Sequence, residues 1–181
     1  MSHLFTKASI EPFRSTLIMQ FDIAWQLLEY HLNNLEDEEC MWRPSKKKGL
    51  HVWEKDNYWI ADWPDTEDYT LGAPSIAWIT WHIIFWWSMV FDSSFGEGTL
   101  SREEINWPGD MKEARKVMIK YHEDWRAILV TISEEEFIAM NRTKWPFDNR
   151  PFYELAAWLN LELMKNASEI GTGRFLYGAR N

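Results

Sequence analysis

A chain of 181 residues, 46% of them hydrophobic, can enclose a full core, which excludes a disordered chain and predicts one domain over residues 1–181. The formal charge of −9 excludes nucleic-acid binding through phosphate contacts, and the longest basic run, Lys46-Lys47-Lys48, reads as a solvated loop. The single cysteine, Cys40, excludes an internal disulfide and suits a reducing, cytoplasmic setting.

The N-terminal stretch Met1-Ser-His-Leu-Phe-Thr-Lys7 lacks the apolar core of a signal peptide. The first helix is predicted over Ile10 to Asp37. Phe13, Leu17, Phe21, Ala24, Leu28, Leu32 and Leu35 alternate steps of four and three, the inner seam of a bundle helix. Ser9 can cap its start, and Pro12 is tolerated in a first turn. Cys40 follows Glu36, Asp37, Glu38 and Glu39, whose charges raise a thiol pKa, so it does not read as a nucleophile. Between Cys40 and Gly72, Val52-Trp53-Glu54 and Tyr58-Trp59-Ile60 flank Asp56-Asn57, which predicts a small β-hairpin pinned by Trp53, Trp59 and Trp63.

The second helix is predicted over Pro74 to Phe95, apolar nearly all round, and Gly96 and Gly98 end it. Its window from Ile76 to Phe91 is shorter than the ~20 residues that span a bilayer. Thr80, His82 and Ser88 interrupt that window, so the segment reads as a buried helix and no membrane partner is expected. Ser101 to Glu104 and Ser133 to Glu136 have capping-box spacing. Between them the third helix, over Asp110 to Ile132, carries the seam Met111, Ala114, Met118, Tyr121, Trp125, Ile128 and Ile132. The fourth helix opens at Pro151 and runs at least to Gly171, where Gly171 and Gly173 end it or let it continue to Tyr177. The fold class is therefore all-α: an antiparallel four-helix bundle with a small β-hairpin in the long connection between helices one and two.

Two places on these helices carry polar side chains where apolar ones are expected. On the fourth, Leu155, Leu159, Leu163 and Ile170 define an apolar arc; Asn166 falls inside it and Glu162 sits one turn earlier at its edge. On the second, His82 lies among Trp78, Trp81, Phe85 and Trp86 and must find a partner there. In a bundle, inward histidine and carboxylate groups on facing helices can build a metal site, with His82, Glu162 and Asn166 as the three positions; the same residues can equally close a buried hydrogen-bond network. His31 and His122 read as packed residues rather than ligands. Phosphate-binding glycine loops, HExxH, paired-cysteine and GxSxG motifs are absent.

The segments Ser75-Ile-Ala-Trp78-Ile-Thr-Trp81-His82-Ile83 and Glu162-Leu-Met-Lys-Asn166-Ala-Ser-Glu169-Ile-Gly171 resemble the DinB-like superfamily of four-helix-bundle metalloenzymes, as does the stretch from Leu27 to Pro44. The resemblance implies that one histidine of helix two and two residues a turn apart on helix four hold a divalent ion such as zinc or nickel. The latter two are usually both histidine, or glutamate followed by histidine. Carried over, the positions are His82, Glu162 and Asn166, and the amide of Asn166 is a weak ligand for either metal. The resemblance also implies thiol-dependent transferase or isomerase chemistry with low-molecular-weight thiols, as in some members, of which a metal-dependent thiol S-transferase is the most concrete version. The resemblance thus implies such an enzyme with a degenerate site, in which His82 and Glu162 serve as catalytic groups and Trp78, Trp81 and Trp86 ring a small-molecule pocket. The alternative is a non-catalytic, small-molecule-binding or homodimeric bundle that has lost the metal.

Overall fold

The computed structural model describes residues 7–45, 48–66 and 68–180, with the side chains of residues 7–9 left aside. His3, Lys46 and Lys47 lie outside the described residues. The chain is mostly helical: α1 (Lys7–Leu32), α2 (Asp37–Met41), α3 (Ile76–Phe95), α4 (Met111–Thr131), α5 (Glu134–Ile138) and α6 (Phe152–Gly178), with strands β1 (Val52–Lys55) and β2 (Tyr58–Ala61) between α2 and α3. The strands pair antiparallel, with Lys55 opposite Tyr58. Asp56 and Asn57 supply the left-handed φ values, 52° and 66°, that a two-residue hairpin turn requires.

The four predicted long helices correspond to α1, α3, α4 and α6. Asn34 breaks the first one earlier than its periodicity suggests. It takes φ 55°, Leu35 N–H turns back to Leu32 O at 3.3 Å, and the chain restarts as α2, so Leu35 leaves the seam. The start lies two residues before Ser9, inside which Pro12 is accommodated. In the third helix the expected seam is inward: Met111, Ala114, Met118 and Trp125 are buried, and Leu129 joins them. The α3 helix has no polar face because it has no solvent face; 15 of its 20 residues are buried. Ser75 caps it, accepting from Trp78 N–H at 3.2 Å while bonded to His51 Nδ1 at 2.7 Å.

The glycines of the fourth helix do not end it; α6 continues to Gly178. They permit close approach instead. A Cβ on Gly171 would lie 2.6 Å from the His31 ring, and one on Gly173 would lie 3.0 Å from Ile76 Cγ1.

Contacts run α1 to α6, α6 to α3, α3 to α4 and α4 to α1. Their directions depart from a uniformly antiparallel order. Asn160 reaches Leu17 O and Arg174 reaches His31 O, so α1 and α6 run parallel. Ser88 meets Tyr121, and Phe91 meets both Tyr121 and Trp125, so α3 and α4 also run parallel. The cause is the connection 96–110, which folds back along α3. Leu100 N–H bonds Asp92, Trp81 Nε1–H donates to Ile105 O, and Trp107 Nε1–H donates to Thr80 Oγ1. Hence α4 starts again at the end where α3 started.

An arginine closes the C-terminus of each long helix, where carbonyls lack partners. Arg174 donates to His31 O and Asn33 O at 2.8 Å after α1, and Arg142 donates to Ser94 O at 3.0 Å near the end of α3. Arg14 donates to Leu129 O and Ile132 O at 2.9 and 2.8 Å at the end of α4, and Arg180 donates to Tyr177 O at 2.7 Å at the end of α6.

Candidate functional site around His82

The α3 helix brings His82 inward, and α6 brings Asn166 to meet it. The pair is joined by an Nδ1···Oδ1 hydrogen bond of 3.1 Å; Asn166 is fully buried and His82 is 7% exposed. The other ring nitrogen, Nε2, accepts the indole N–H of Trp86 at 2.9 Å. An indole N–H only donates, so Nε2 must hold the lone pair and Nδ1 must carry the proton. That proton points at the Asn166 carbonyl oxygen. Asn166 Nδ2–H in turn donates to the backbone oxygen of Glu162 at 2.8 Å, one turn back on α6, which fixes the orientation of the amide. The result is a hydrogen-bonded relay from Trp86 to His82 to Asn166 to the α6 backbone.

Aromatic rings enclose the imidazole. Trp78 stacks on it with centroids 4.7 Å apart and 17° between planes, and Phe85 and Trp86 complete the wall at 6.2 and 5.4 Å. Burial drives the His82 pKa down to about 4; the bond to Asn166 opposes this only in part, and the charge of Lys165 adds to it. The ring is therefore neutral at neutral pH, which is the form that the relay requires.

Glu162 joins this arrangement through its backbone rather than its carboxylate. Its Oε2 lies 2.7 Å from Lys165 Nζ, off the line of a hydrogen bond, so the contact is ionic. Among the three predicted pocket tryptophans, Trp78 and Trp81 are buried, and their N–H groups are engaged by Asp62 O at 2.8 Å and Ile105 O at 2.7 Å. Trp86 alone is partly exposed, and its ring lies 4.9 Å from Trp145 and 4.8 Å from Trp158. The sequence signalled Trp86 by its i, i+4 spacing from His82 but not its role as a donor, and it gave no sign of Trp145 or Trp158.

The two histidines that read as packed residues stand elsewhere. His31 packs against Gly171, and His122 stacks on Trp25 at 4.2 Å. Among the described residues, no three His, Cys, Asp or Glu side chains gather as a metal site. Nor does the donor set around His82 fit a divalent ion. One ring nitrogen carries a proton, the other is engaged by Trp86, the third position is an amide, and the carboxylate is paired with Lys165. Cys40 is fully buried; its burial, followed by Asp37 and Glu39, pushes the thiol pKa well up, which is the opposite of nucleophile activation.

No helix among the described residues is long and apolar enough to cross a membrane. No curated protein and no solved structure gives a significant match to the chain. One family model does, that of the DinB superfamily, over residues 20–170. With the match covering most of the sequence, the chain belongs to the DinB superfamily.

Proposed function

We propose that this protein is a DinB-superfamily four-helix bundle of one domain that works without the metal: a binding protein rather than a metal-dependent thiol S-transferase. The observation that carries this reading is the state of His82, with one ring nitrogen protonated toward Asn166 and the other occupied by Trp86. A metal-dependent transferase would need that occupied lone pair, together with a ligand stronger than an amide at position 166. In place of an ion, the neutral relay holds α3 to α6 and seals the position from which family chemistry would be run. Two copies pairing into a homodimer, in a cytoplasmic setting, complete the reading; light scattering that returned the mass of one chain at high concentration would remove the dimer from it.

The deciding experiment is elemental analysis of protein purified without an affinity tag. Substoichiometric zinc and nickel are expected, at roughly a tenth of an ion per chain or less, and addition of a chelator should leave the unfolding temperature unchanged. Stoichiometric metal that disappears in His82→Ala would overturn the proposal and reinstate the transferase.

A further inference from the structure

A second candidate site lies away from His82, at the end of the molecule where α1 finishes and α4 begins. There a cleft of about 420 Å³ opens between the α1–α2 turn and the first turns of α4. That volume suits a small organic ligand. Its apolar lining is aliphatic: Leu32 and Met111 are buried, and Leu35 and Ile119 are half-buried. Its charged lining has two signs from two elements. Lys112, Arg115 and Lys116 come from α4, whereas Glu36 and Asp37 come from the turn into α2.

Most of these charges are already matched. Arg115 pairs with Glu29 at 3.1 Å, Lys116 pairs with Glu113 at 2.6 Å, and Asp37 Oδ1 accepts Met111 N–H at 2.9 Å. Among the described residues, Lys112 and Glu36 are the two charged lining groups with neither an ion-pair nor a hydrogen-bond partner for the side chain, and both are exposed; Asp37 also lacks an ion pair, but its carboxylate is engaged by Met111 N–H. An unmatched ammonium and an unmatched carboxylate on separate elements over an aliphatic surface complement one kind of molecule. It carries a carboxylate, an ammonium group and a short aliphatic chain. We propose that this cleft binds a free amino acid with an aliphatic side chain, its carboxylate at Lys112, its ammonium at Glu36 and its side chain against Leu32, Met111 and Ile119. A plain anion would leave Glu36 repelling it, and a plain cation would leave Lys112 repelling it.

The test is calorimetric titration of the full chain with L-leucine, 4-methylpentanoate and 3-methylbutylamine. The latter two each lack one of leucine's charges. Saturable binding of leucine is expected, with both analogues weaker by about tenfold or more. Lys112→Glu and Glu36→Lys should each lose about as much affinity for leucine. Their unfolding temperatures should stay near wild type, since neither side chain is paired. No saturation by leucine at millimolar concentration, equal binding of 4-methylpentanoate, or full affinity in both variants would overturn the assignment. His82→Ala should leave leucine binding intact, so this result and the metal content of the protein stand or fall separately.

Discussion

His82 shows how a single residue sets what this site can do. Its neutral ring accepts from Trp86 and donates to Asn166; a second proton would force Nε2–H against the indole N–H. With its pKa lowered to about 4 in the folded state from 6.5, the ring binds its proton more readily when the chain is unfolded. The stabilisation is thus fully present above pH 6.5 and is lost as the pH falls through about 4. The loss amounts to about 3 kcal/mol. Denaturant unfolding of wild type and His82→Gln across that window should show the wild type losing the larger share; equal losses would mean that the ring titrates as it does in water. His51 and His122 are lowered too, chiefly by burial, so part of the acid sensitivity survives in the variant. The meeting of His82 with Asn166 was legible in the sequence because face arithmetic places both inward. The destination of the Glu162 carboxylate was not, because Lys165 competes for it through side-chain torsions that spacing does not encode.

At the scale of elements, the helix ends carry the argument. Periodicity gave the seams of α1 and α4 because buried positions must repeat at the helical period. It overran at Asn34, where one left-handed residue ends a helix whose apolar pattern continues to Leu35. Gly171 and Gly173 were legible as glycines but ambiguous as signals, since a stop and a close contact call for the same residue. The arginine caps had no sequence signature, because each donor but Arg180 is remote from the carbonyls that it serves. Arg14 is the sharpest case: 6% exposed, it holds two carbonyls at the end of α4 and lies 4.9 Å from the Phe137 ring centroid. Arg14→Met should cost about 2–4 kcal/mol by removing charge-assisted hydrogen bonds, and should lower Tm by roughly 5–15 °C. Arg14→Lys, which keeps the charge but not the fork, should fall between the two. A Tm for Arg14→Met within a degree of wild type would show that the cap contributes nothing.

For the whole molecule, the class was readable and the path of the chain was not. Hydrophobic patterning identifies four long helices, but it does not orient them. Orientation depends on the connection 96–110, which reads as a loop with one short turn. Its return along α3 is fixed by indole N–H groups meeting a backbone carbonyl and a threonine hydroxyl. The parallel course of α1 and α6 has a mechanical consequence. The start of α1 and the end of α6 lie at opposite poles, so tension applied at those two points slides the helices lengthwise against each other. All of the lateral contacts, including the Asn160 bond to Leu17 and the grip of Arg174 on His31, then bear the load together rather than opening in sequence like a zip. Optical-tweezer extension from those two points should give a single abrupt rupture, at a higher force than extension from handles placed at one pole.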